Sequence, residues 1–200
     1  MFKNLFTFIF FVLISFQASS QNVKKAYKLY QKNDLVKLRE VLEKMDIKIP
    51  NNPGVYYLYS LLHLTDSLER ISIDSAHIFI LNSKENISNV DEKQHLGLME
   101  LDITKTSIDS LEDVIDKIEF EFVLKENTVE EYERYMMKYS SSTHFKEAVK
   151  NRNTLKFLTA KSQNTWQSYK LFLDKYPYAI DASDAKLNYE RLLFEEKTRD

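Results

Sequence analysis
From residue 22 onward the apolar residues recur with the period of an α-helix. In Thr128–Tyr139 the residues Val129, Tyr132, Met136 and Tyr139 fall at i, i+3, i+7 and i+10, and in Thr165–Tyr176 the residues Trp166, Tyr169, Leu173 and Tyr176 do the same. Each set draws one apolar stripe along a helix. Thr128 with Glu131 three positions on predicts a capping box at the start of the first. Pro177 stops the second, because the residue before a proline avoids the helical region, and Ser140–Ser142 punctuates the first. Longer helices follow over 143–162 and 180–197, with Phe145, Ala148, Val149, Leu155 and Ala182, Ala185, Tyr189, Leu192 turned inward. Upstream, the pattern predicts helices over Val23–Gln31, Asp34–Met45, Val55–Leu64, Asp74–Ser83, Asp91–Thr104 and Ser107–Lys125, with Pro50–Pro53 the clearest break. The expectation is an all-α protein of about ten helices.

The last part of the chain repeats itself. Residues 127–160 set against 164–197, an offset of 37, give nine identities in 34 positions, where ordinary composition gives about two. Asn127–Thr128 pairs with Asn164–Thr165, and the match runs through Tyr132, Lys138, Tyr139, Ala148, Asn151, Leu155 and Phe157 with their partners 37 residues on. One period further back, the apolar positions Leu111, Ile118 and Phe120 continue it for the long helix alone. The small residues Ala148 and Ala185 at equivalent sites predict a close helix–helix approach. A helical hairpin of this size cannot bury its apolar face alone, so neighbours must stack into one core. Residues 21–105 are read as N-terminal helical hairpins and 106–200 as the 37-residue repeats, continuous with them.

The order Tyr169, Phe172, Tyr176, Pro177, with about eight residues to an alanine opening the next helix, resembles the tetratricopeptide-like superfamily. More narrowly, it is similar to the repeats of bacterial envelope proteins such as outer-membrane-assembly lipoproteins. The resemblance implies a right-handed α-solenoid of stacked hairpins whose concave side holds a protein or peptide.

Composition narrows the field. Two glycines and three prolines among 200 residues leave too few turn-formers for a sandwich, a barrel or a glycine-rich phosphate loop. The absence of cysteine removes thiol nucleophiles, disulfide frameworks and Cys-based zinc sites. With 28 Lys+Arg against 30 Asp+Glu, a nucleic-acid partner held by its phosphates is not expected. Lys3, the apolar run Leu5–Ile14, and Ala18 and Ser20 describe a secretory signal peptide over 1–20, with Gln21 as the mature N-terminus. The run is shorter than the roughly 20 residues of a bilayer span. The protein is therefore expected to be exported, soluble, and periplasmic or secreted in association with the cell envelope.

No constellation points to catalysis. His63, His77, His95 and His144 fall on four different predicted elements, without metal-binding spacing. The carboxylate pairs Glu130–Glu131, Glu195–Glu196 and Glu119 with Glu121 read as solvated helix faces. The triplets starting at Asp66, Asp74 and Asp109 resemble acceptors for bacterial O-glycosylation, but Asp-Ser pairs read first as helix caps. The expectation is a non-enzymatic interaction module or scaffold with no cofactor or metal; the alternatives are a structural domain of a larger envelope protein, or an enzyme or glycan-binding protein with an unrecognised site. Because the tyrosines at repeat-matched positions are expected in the core, the candidate partner-binding residues are the ones that vary between units: Lys150, Arg152, Lys156, Lys161, Lys186, Tyr189, Arg191 and Leu193. Apolar residues spread around much of helix 180–197, so either the chain continues beyond it or that helix docks on a partner or a second copy. The stripe itself is testable: Tyr169→Ala should cost about 3–5 kcal/mol of stability, and an unchanged melting temperature would show that the stripe is not core.

Overall fold
The computed structural model describes residues 22–66 and 70–198, so the signal peptide expected over 1–20 lies outside the described residues. Among the described residues there are ten α-helices, one short 3-10 turn and no strand. The helices are α1 (22–31), α2 (Leu35–Lys48), α3 (Pro53–Asp66), α4 (Arg70–Asn86), α5 (Glu92–Met99), α6 (Lys105–Glu126), α7 (Val129–Lys138), α8 (Phe145–Gln163), α9 (Trp166–Lys175) and α10 (Ala182–Lys197). They form two compact units, Met1–Ile118 and Glu119–Asp200.

In the first unit, α3 and α4 make the tightest pair. Ser60 Oγ donates to the Ala76 carbonyl and Ser83 Oγ to the Pro53 carbonyl, each at 2.8 Å. Both serines are fully buried, so these bonds satisfy hydroxyls that would otherwise be costly to desolvate. Tyr59 stacks on Phe79 at 4.6 Å, and burial pushes its phenol up to about 12. Asn51, left-handed at φ 63°, turns the chain, and Asn52 Oδ1 accepts from the Gly54 and Val55 amides to start α3. Glycine at 54 lets the chain pass close to its neighbours, since a Cβ there would lie 2.6 Å from the Leu98 side chain and 2.9 Å from that of Val23, and these would have to shift. Lys84 bridges from α4 to Asp109 (2.9 Å) and Glu112 (2.5 Å) on α6, and these carboxylates hold its ammonium above the ordinary lysine range.

Two expectations change here. Helix α4 is already helical at Arg70, ahead of Asp74, and Asp74 and Asp109 lie inside α4 and α6 instead of capping them. The triplet starting at Asp66 runs into residues 67 and 68, outside the described residues.

The second unit contains the repeat, and its two copies match in backbone detail. Asn127 and Asn164 both sit in the left-handed region, at φ 48° and 49°. Thr128 and Thr165 are extended N-caps, and Tyr139 and Tyr176 close α7 and α9 with the same φ, ψ pair, near −120°, 54° and −131°, 53°. The side chains match as well. One cluster holds Phe120, Val123, Tyr132, Tyr135, Tyr139 and Ala148, with Met136 and Leu155 against it. Every one of these has its partner 37 residues on in the other: Phe157, Ala160, Tyr169, Phe172, Tyr176 and Ala185, with Leu173 and Leu192. The small alanines that predicted a close approach are both fully buried.

The caps differ from expectation. Thr128 accepts from the Glu131 amide at 3.3 Å, but the reciprocal capping box forms at Thr165 and Ser168 instead. The Glu131 carboxylate is drawn to Arg134 at 3.1 Å.

The asparagine hinges differ in one respect that can be measured. Tyr132 donates its hydroxyl to Asn127 Oδ1 at 3.0 Å. A left-handed residue other than glycine costs roughly 1–2 kcal/mol, which asparagine tolerates best. Asn164→Ala should therefore destabilise by about 1 kcal/mol while Asn164→Gly is neutral, whereas Asn127→Gly should lose about 1 kcal/mol with the tyrosine bond. Urea unfolding checks this, and equal stability of Asn164→Ala and Asn164→Gly would refute it.

Candidate functional site
The variable positions lie on α8 and α10 of the second unit. Helix α8 carries five cations, Lys146, Lys150, Arg152, Lys156 and Lys161, against the single carboxylate Glu147. They do not form one patch. At about 100° per residue, Lys150 and Lys161 share a face, while Arg152 and Lys156 lie on the opposite side. Lys150 and Lys161 are exposed. Arg152 is half-buried over the Tyr176 ring at 5.0 Å, with Glu133 at 4.0 Å, so much of its role is to tie α8 to the neighbouring helices.

On α10, Lys186 faces Glu190 at 3.9 Å and Arg191 pairs with Glu195 at 2.8 Å, each one turn apart and exposed. Such pairs contribute a few tenths of a kcal/mol and leave the charges accessible. Tyr189 and Leu193 are half-buried. Tyr189 packs on the aromatic cluster with its ring 6.5 Å from Trp166, so it serves the core more than a free surface.

Half a turn round α10 from Ala185 and Leu192 lie Leu187 and Phe194, 66% and 69% exposed. Phe194 is the repeat partner of Phe157, which is 7% exposed because Tyr169 (6.3 Å) and Phe172 (5.6 Å) of α9 cover it. The same ring is thus sheltered in one copy and bare in the other.

Lys156 lines a cavity of about 200 Å³ between α8 and α9. Ala160, Leu171, Phe172 and Tyr176 line it together with Thr159, Gln163, Ser168 and Lys175. Its counterpart in the first copy carries the charges that sequence reading placed on a solvated face. Glu119 is fully buried, and Arg134 of α7, 33% exposed, donates to it and to Glu131. The apolar pattern of α6 puts Glu119 beside Phe120 on the packed side, a placement that its neighbour Glu121 obscured.

A second cavity, about 430 Å³ beside Tyr57, Asp102 and Ser110 in the first unit, is rich in hydroxyls. Thr104 and Ser107 there bond one another reciprocally (2.8 and 3.2 Å) to start α6, so these hydroxyls are already satisfied. The histidines are dispersed: His63 stacks on Phe79 (5.5 Å), His144 on Phe120 (4.6 Å), His77 is buried in α4 and His95 is exposed on α5. Among the described residues no three His, Cys, Asp or Glu side chains converge as a metal site would need, and no helix is long and apolar enough to cross a membrane. No protein-family model, curated protein or solved structure matches this chain.

The buried pair makes an asymmetric prediction. Removing Arg134 takes an ion-pair partner from a carboxylate with no exposure, while removing Glu119 leaves a guanidinium that can still reach water. Loss of one partner of a buried pair costs up to about 3–5 kcal/mol, so Arg134→Met should approach that range and Glu119→Gln should cost clearly less. Thermal unfolding of the two variants decides, and the reverse order would refute the argument.

Proposed function
We propose that this protein is a non-catalytic interaction module or scaffold, exported to the periplasm or secreted in association with the cell envelope. In this reading it is a tetratricopeptide-like array of stacked hairpins, right-handed in its winding, that binds another polypeptide. The observation that carries the proposal is Phe194. Phe157 at the equivalent position is covered by an amphipathic helix bearing aromatic residues at i and i+3. The open face of Leu187 and Phe194 suits a helix of the same kind, whether from a partner, from a second copy or from a continuation of this chain. An exposed apolar stripe flanked by the charges Lys186, Glu190 and Arg191 has the composition of a docking surface: an apolar centre and a polar rim.

The test is a photo-reactive residue at Leu187. It should give a discrete protein adduct, to a second copy or to another polypeptide, and Phe194→Asp should abolish that adduct. No adduct, or equal adducts with and without Phe194, would overturn the proposal.

A further inference from the structure
The groove between α8 and α9 has no counterion of its own, and the first repeat shows what such a groove holds. Moving back 37 residues, Lys156 becomes Glu119, Leu171 becomes Arg134 and Ser168 becomes Glu131. In the first copy these three form a compact ion network, Arg134 donating to both carboxylates. In the second copy all three are replaced together. Leu171 is 60% exposed and reaches no charge. Ser168 is fully engaged, donating to the Ala160 and Thr165 carbonyls at 2.9 and 2.8 Å. Lys156 is left half-buried at the cavity with Lys175, and neither ammonium has a carboxylate partner among the described residues.

Two lysines lining one groove with no carboxylate between them leave it positively charged, which favours an incoming carboxylate. We propose that this groove binds an acidic side chain, glutamate or aspartate, of a partner polypeptide. Its carboxylate is held between Lys156 and Lys175, and its aliphatic neighbours lie on Ala160, Leu171 and Phe172. Three features favour that occupant. The cavity, about 200 Å³, is smaller than the roughly 300–1,000 Å³ of pockets that enclose a small-molecule ligand, which fits one side chain. Its lining is more apolar than polar, which suits a peptide better than a hydrated inorganic anion. Lys156 and Lys175 both line the groove, which makes it favourable to an acidic side chain. The inference rests on the binding-module reading above and adds a second surface to it, on helices other than the Leu187 and Phe194 face.

The probe is the blocked tripeptide acetyl-leucyl-glutamyl-leucinamide, followed by NMR on the purified protein. Saturable amide shifts should appear over 156–163 and 168–176, and the glutaminyl analogue should bind at least about tenfold more weakly. Lys156→Gln should weaken binding about tenfold, and Lys175→Gln, a change at an exposed position, severalfold. The double variant Lys156→Glu with Leu171→Arg rebuilds the ion pair of the first repeat, and should abolish binding while the protein keeps its melting temperature. Equal binding of the glutamyl and glutaminyl peptides would overturn the proposal, as would binding that survives Lys175→Gln unchanged or inorganic phosphate competing as well as the glutamyl peptide. Phe194→Asp should leave peptide binding intact, so that failure at this groove is distinct from failure at the α10 face.

Discussion
A ring from each short helix of the second unit packs against a phenylalanine near the end of the long helix before it, and the rest of that unit has to accommodate this contact. Tyr135 meets Phe120 at 5.1 Å and Phe172 meets Phe157 at 5.6 Å. Aromatic pairs at these separations bury large areas and add a directional term of their own. Space for the rings comes from Ala148 and Ala185, both with no exposure, since any larger residue would hold the next helix off. The left-handed asparagines Asn127 and Asn164 reverse the chain in one residue and deliver a threonine cap directly after it. Ring, alanine, asparagine and threonine therefore belong to one geometric solution, and they are the residues that recur at an offset of 37.

The same logic explains what could be read from sequence. Helices were legible because a stripe of Tyr, Leu and Met at i, i+3 and i+7 has few other uses. The repeat was legible because packing permits so little change at Tyr132 and Tyr169 or at Ala148 and Ala185. The residues of α4 ahead of Asp74 were not, since Asp74 imitates a cap. The burial of Glu119 was hidden for a related reason. A carboxylate next to another carboxylate looks solvated, and its real partner, Arg134, lies 15 residues away on another helix. Charge pairing between helices has no period, so pattern alone does not reveal it.

The candidate surfaces were legible only in part. Variation between copies directs attention to α8 and α10, but it treats every differing position alike. Some of those differences serve packing. Arg152, matched to Tyr189, braces Tyr176, and Tyr189 itself leans on Trp166. Others leave a surface unsatisfied, and these are visible only in the folded form of both copies. Exposure of Phe194 has meaning because Phe157 is covered, and the isolation of Lys156 has meaning because Glu119 is paired.

Duplication thus supplies an internal reference. Where two copies of one hairpin agree, the residue answers to a shared packing demand, and where they disagree the first copy shows how the demand can be met within a single chain. Replacing Glu119, Arg134 and Glu131 by Lys156, Leu171 and Ser168 removes every carboxylate from a groove and keeps a cation in it. Packing does not call for a cation there, because the neighbouring Ala160, Leu171 and Phe172 are apolar. Its retention is accounted for by a carboxylate arriving from outside, and the aromatic clusters that hold α8 against α9 keep the groove in shape to receive it.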